Sequence, residues 1–136
     1  MIIPYGVTSV GSNAFEYNKK LRCIALPSTL KTIGMYIFRL CEKLESISLP
    51  TSLESIPTSA FYGCGSLTRI DIPSTITSIG SQAFDGCAKL TDVYTYIVEP
   101  TPIQMSPFSG YKTATLHVPA TSYYNYWYDT EWGQLS

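Results

Sequence analysis

A chain of 136 residues is long enough for one continuous core and too short for two independent ones. Nine basic residues against ten acidic ones leave a net charge of −1, which excludes the basic footprint that nucleic acid or an anionic membrane surface requires. Only 14% of the chain is charged, and no apolar run approaches the length of a membrane-spanning helix.

In chain order, the residues recur at a spacing of 23. Pro4, Pro27, Pro50 and Pro73 form one column, and Phe15, Phe38, Phe61 and Phe84 another. Leu21, Leu44, Leu67 and Leu90 keep the same spacing, as do Ile24, Ile47, Ile70 and Val93. Val7, Leu30, Leu53 and Ile76 precede Val10, Ile33, Ile56 and Ile79, and a glycine column of Gly11, Gly34 and Gly80 is interrupted by Pro57. Several independent columns sharing one period define a repeat architecture.

Within a unit, "LTRIDIP" alternates Ile70 and Ile72 with Arg69 and Asp71, the period-two pattern of a half-buried strand. Pro73 ends that strand because it lacks the ladder N–H. "SIGSQAF" then turns Ile79 inward, bends at Gly80 and returns Ala83 and Phe84 to the interior. One such coil cannot bury its apolar side alone, so the coils must stack. Met1 falls in mid-strand by this register, which leads to the expectation that the chain begins inside a longer polypeptide. The absence of a leader then says nothing of location.

The period runs on to Leu116, Val118 and Pro119, making "ATLHVP" a fifth strand. The coil feeding it is proline-rich, with Phe108 one position off the Phe column. "SYYNYWYDTEW" reads as a short helix with Ser122 as N-cap, closing the last layer. The expected fold is a repeat solenoid, mainly β: a right-handed leucine-rich-repeat β-solenoid with a parallel sheet of about five strands, tight turns and a C-terminal capping helix. Residues 1–98 hold four 23-residue repeats, the first truncated, and residues 99–136 the irregular coil, fifth strand and cap of the same domain.

"IPSTITSIGSQAFDGCAKLTDV" and its three companions resemble the BspA-like leucine-rich repeats, which are abundant in surface proteins of Bacteroidetes-type bacteria and of some mucosal protists. "LHVPATSYYNYWYDTEW" is similar to that family's closing segment, with Tyr126 and Trp132 at the matching positions. The resemblance implies an extracellular or cell-surface protein that binds a protein or glycan partner, adhesion included. It departs from common leucine-rich repeats in lacking an Asn ladder, whose place is taken by Asn18, Cys41, Cys64, Cys87 and Gly110.

Four candidate features follow. Cys41, Cys64 and Cys87 share one inward column and read as buried free thiols bonded to turn carbonyls, whereas Cys23 faces out. On the outward strand positions, Arg69, Asp71, Asp92, Tyr94 and His117 form one contiguous patch. It reads either as a solvated face with cross-strand pairs such as Arg69–Asp92, each worth about 0.2–1 kcal/mol, or as a ligand footprint. In the tail, Tyr124, Trp127 and Tyr128 read either as seals of the open end or as an exposed platform for sugar or protein, and helical spacing sets Tyr123, Tyr126 and Trp127 near one side. Finally, Asp71, Asp92 and the sole histidine, His117, could be drawn together as an acid–base or metal group, but no nucleophile accompanies them. No catalytic residue, metal ligand or cofactor is assigned. The functions left are an interaction module, a spacer within a larger surface protein, or glycan binding by the tail.

Overall fold

The computed structural model describes residues 1–100, 107–108, 114–127, 132 and 135. Each coil has three sides. The first carries β2 (Cys23–Ile24), β4 (Ser46–Ile47), β6 (Arg69–Ile72), β8 (Asp92–Thr95) and β9 (Thr115–His117). The second carries β1 (Ser9–Val10), β3 (Thr32–Ile33), β5 (Ser55–Ile56) and β7 (Ser78–Ile79). All pairings are parallel and join residues 23 apart, as in Arg69 opposite Asp92 and Ser9 opposite Thr32. Ile2 bridges Ala25 at the same offset, so the register holds to the start of the chain.

The strand side was expected to be one sheet of about five strands. It is a two-stranded piece, β2–β4, followed by a three-stranded sheet, β6–β8–β9. β4 and β6 are adjacent but share no ladder, and the second side divides likewise into β1–β3 and β5–β7. From the second coil to the third the stack continues through backbone bonds outside the strands, such as Leu40 N–H to the Tyr62 carbonyl and Glu54 N–H to the Lys31 carbonyl.

Glycine marks the bend after the second side for a steric reason. A Cβ at Gly34 would be driven into the backbone of Ser12, and one at Gly80 into that of Thr58, each on the preceding coil. At Gly11, in the first coil, it would meet nothing.

The third side is a turn with two left-handed residues per coil. Asn13, Tyr36, Ser59 and Gln82 have φ of 52–62°, and Tyr17 and Leu40 share a second such column with Gly63 and Gly86. Between these positions the backbone reaches the next coil: the Phe15, Phe38 and Phe61 N–H groups donate to the carbonyls of Ile37, Ala60 and Ala83 at 2.8–2.9 Å. The phenylalanines so positioned stack, with centroids 5.6, 5.4 and 5.3 Å apart along Phe15, Phe38, Phe61 and Phe84. Phe108, out of step in sequence, still joins at 5.0 Å, and Trp132 ends the column, tilted and fully buried. The outermost layer is less complete, for Phe15, Val7 and Val10 are only half-buried.

At the C-terminus the helix α1 (Tyr123–Trp127) is preceded by a 3-10 turn over Ala120–Ser122. Ser122 is not an N-cap. The turn begins after Pro119 with no side-chain cap, the Ser122 N–H donates to the Pro119 carbonyl, and its buried Oγ has no partner among the described residues. The helical run begins at Ala120, directly after Pro119, three residues before the serine signal would have started it.

Candidate functional site

The outward side chains of β6, β8 and β9 assemble as their register dictates. Period-two alternation puts Arg69 and Asp71, Asp92 and Tyr94, and Thr115 and His117 on the outer face, and parallel pairing sets Asp71, Tyr94 and His117 in one row. The expected Arg69–Asp92 pair does not form. The Arg69 guanidinium instead turns along its own strand to grip both Asp71 oxygens, at 2.8 and 2.7 Å, and lies 3.8 Å from the centre of the Tyr94 ring. A forked donor matches a carboxylate in this way, and the ring below favours the cation. Asp92 is left to accept from His117 Nε2 at 2.8 Å and from the Thr91 hydroxyl at 2.8 Å.

His117 covers the other face of Tyr94, with centroids 3.9 Å apart and planes within 5°. Tyr94 is thus held between a guanidinium and an imidazole across three strands. Tyr96 extends the network, its hydroxyl donating to Asp71 at 3.1 Å. Both carboxyls are held below the ordinary carboxylate value, Asp71 chiefly by Arg69 and Asp92 chiefly by His117. The five residues named from sequence do come together. The sequence reading did not include Tyr96, whose outward place follows from continuing the same alternation two residues past Tyr94. Beside Asp71 and Tyr96, a groove of about 380 Å³ runs along Leu49, Thr51, Pro73 and Ser74.

The cysteine column is buried and unbridged, and Cys23 is exposed, as the pattern implied. Cys41, Cys64 and Cys87 donate their S–H groups to the carbonyls of Phe15, Phe38 and Phe61, each on the preceding coil, at 3.1–3.2 Å. Asn18, in the same column, works within its own coil instead, accepting from the Lys20 and Leu21 N–H groups. Burial raises the thiols, Cys41 to about 11, Cys87 to about 12 and Cys64 further, so they remain protonated donors and not nucleophiles. Among the described residues no group of three His, Cys, Asp or Glu side chains is placed to hold a metal ion.

The tail divides between the two readings. Tyr126 is buried, donating to the Ile97 carbonyl at 2.9 Å and lying 3.2 Å from the Thr95 hydroxyl, so it seals the stack together with Trp132. Of the three rings expected near one side, Tyr126 is therefore separated from Tyr123 and Trp127, which are exposed and stack at 5.9 Å. One five-residue turn can bury only one face, and Tyr126 occupies it. Tyr124 is 73% exposed and Trp127 66%, while Tyr128 lies outside the described residues. An apolar groove of about 460 Å³ separates Tyr123, Tyr126 and Trp127 from Leu116 and Val118.

A second surface went unnoticed in the sequence. On the turn side, Arg39 is ringed by Tyr17, Tyr36 and Tyr62, each 5.6–5.8 Å from guanidinium carbon to ring centre, and it pairs with Glu16 at 2.7 Å. Hydrogen bonds from Asn13 and Arg39 hold Glu16 below its ordinary value.

A stack of 23-residue coils with parallel strands, an aromatic column and an aromatic cap defines a leucine-rich-repeat solenoid. The model for the BspA-type leucine-rich repeat region matches residues 1–124 in six copies, and the chain belongs to that family. Among solved structures it is similar to a leucine-rich cell-surface protein of Faecalibacterium prausnitzii, at 28% identity and TM-score 0.81, covering 92% of this chain and 34% of that one. A leucine-rich repeat protein of Bacteroides ovatus is 31% identical, with TM-score 0.61, over 87% of this chain and 29% of its own. The pneumococcal vaccine antigen PcpA shares the fold at 23% identity and TM-score 0.80, over all of this chain and 39% of its own. The chain therefore spans about a third of the length of these structures. No curated protein matches it. Among the described residues, no helix is long and apolar enough to cross a membrane.

Proposed function

We propose that the chain is a non-catalytic interaction module of a cell-surface or secreted protein, and that its strand face docks a protein partner. The observation that carries this reading is the Arg69–Tyr94–His117 stack. Its charged and aromatic groups are fixed by one another before any partner arrives, so little side-chain freedom remains to be lost on binding. Arginine and tyrosine are also the residue types that dominate protein docking surfaces. Catalysis is disfavoured by the same geometry. Asp92 and His117 are paired on an open sheet, and the neighbouring Thr91 hydroxyl donates to Asp92 and not to the imidazole.

The test is a binding screen against host matrix proteins and glycans, comparing the native chain with an Arg69→Ala/Asp71→Ala/Asp92→Ala variant. Protein binding that falls at least about tenfold in the variant, with melting little changed, supports the reading. Unchanged binding removes the strand face from consideration.

A second reading, glycan binding by the tail, is favoured by the exposure of Tyr124 and Trp127 beside an apolar groove. Tryptophan fluorescence should then respond to oligosaccharides, and Trp127→Ala should abolish the response. A flat titration counts against it. A chain that meets neither test acts as a spacer in a longer surface protein.

A further inference from the structure

The first two coils carry an electrostatic pattern that the strand face does not use. Glu16 and Lys19 pair with Arg39 and Glu42, one repeat further on, at 2.7 and 3.6 Å, and Arg22 pairs with Glu45 in the same way at 2.6 Å. Lys20 and Lys43, also one repeat apart, have no such relief. They occupy one column on adjacent coils, both exposed, and neither makes an ion pair among the described residues. Like charges set side by side on neighbouring coils repel, so the fold alone gives no reason for the pair. The wider field has the same sign. Six of the nine basic residues precede Leu49, and seven of the ten acidic residues follow it.

Three residues before Lys20 in the chain stands Tyr17, a member of the Arg39 cluster. Tyr17 and Tyr36 occupy left-handed backbone positions, φ 61° and 60°, where glycine or asparagine is the unstrained choice, and Tyr17 remains 54% exposed. The left-handed positions recur in each coil and are filled by Leu40, Ser59 and Gln82 elsewhere, so what sets the first coil apart is the open face of the Tyr17 ring beside a cation.

We infer that the turn side of the first two coils is a second docking surface, and that it takes an acidic polypeptide segment carrying an aromatic residue. The acidic groups answer Lys20 and Lys43, and the ring packs against Tyr17 and the Arg39 guanidinium. Arginine and tyrosine at the centre of the surface favour a protein ligand over an acidic glycan.

Fluorescence anisotropy on the full chain tests this with a fluorescein-labelled Glu-Glu-Phe-Glu-Glu peptide at physiological salt. Saturable binding is expected, weakened at least about fivefold by Lys20→Ser/Lys43→Ser, by Tyr17→Gly and by a peptide with serine in place of phenylalanine. Tyr17→Gly removes the ring while easing the backbone, so loss of folding cannot mimic the effect. The strand-face variant Arg69→Ala/Asp71→Ala/Asp92→Ala should bind the peptide as the native chain does, which separates this surface from the one proposed above. Absence of saturable binding, or equal binding by the lysine variant, overturns the inference. So does a heparin oligosaccharide that binds at the lysines where the peptide does not.

Discussion

The first and third coils are written in the same repeat and held in different ways. Phe61 lies between Phe38 and Phe84 with its ring fully buried, and the third coil has no charged residue between Ser59 and Thr68. Phe15 has a neighbour on one side only and stays half-buried, and there three ion pairs join the first coil to the second. The difference teaches that a column residue is worth what its two neighbours make of it. Where the apolar column is covered from one side, charge complements it at the rim. Two of these pairs, Lys19–Glu42 and Arg22–Glu45, are exposed and contribute little, and only Arg39–Glu16 is partly buried, so the first coil should be the weaker.

The largest expected effect sharpens that contrast. Phe61→Ala should cost about 3–5 kcal/mol in chemical denaturation, and Phe15→Ala about half of that, because part of the ring is already in water. Equal losses would break the comparison. The glycine column offers a second, smaller version of it. Gly80→Ala should cost about 1–3 kcal/mol by overpacking against Thr58, and Gly11→Ala should fall within about 0.5 kcal/mol of native, since nothing opposes its Cβ. In the opposite direction, Gln82→Gly should stabilise by about 0.5–1 kcal/mol, because its φ of 56° is one that glycine adopts without strain.

The smallest effect is acid sensitivity. Glu16, Asp71 and Asp92 are depressed from 4.5, 3.8 and 3.8 by their partners in the folded chain. Their contribution is complete above those ordinary values and is lost as pH falls through the lower folded ones. Melting temperature should therefore hold from pH 7 to 5 and decline below about pH 4. Replacing Glu16 by Gln should flatten part of that decline.

Much of this molecule can be read without coordinates, because stacking converts a sequence period into spatial contact. The Phe, Ile and Cys columns and the fifth strand all follow from it, while the closing positions of Tyr126 and Trp132 are implied by the family resemblance of the tail. What escapes is whatever does not repeat. Tyr17, Tyr36, Arg39 and Tyr62 occupy three different columns, so no period marks their meeting. The left-handed positions are hidden because Asn13, Tyr36, Ser59 and Gln82 share a conformation and no side-chain type; only Gly63 and Gly86 hint at the second column. On the strand face, register correctly set Arg69 opposite Asp92 but could not choose a rotamer. The guanidinium found a fork and a ring together at Asp71 and Tyr94. In the tail, helical spacing grouped Tyr123 with Trp127 without saying which side of so short a helix would face water.

Residue-resolved amide hydrogen exchange tests most directly the claim that the stack is held from its middle outward. The Phe38 and Phe61 N–H groups, bonded to the carbonyls of Ala60 and Ala83, should exchange slowest, and the Phe15 N–H, bonded to Ile37, should exchange markedly faster. Protection at Phe15 equal to that at Phe61 would contradict the account.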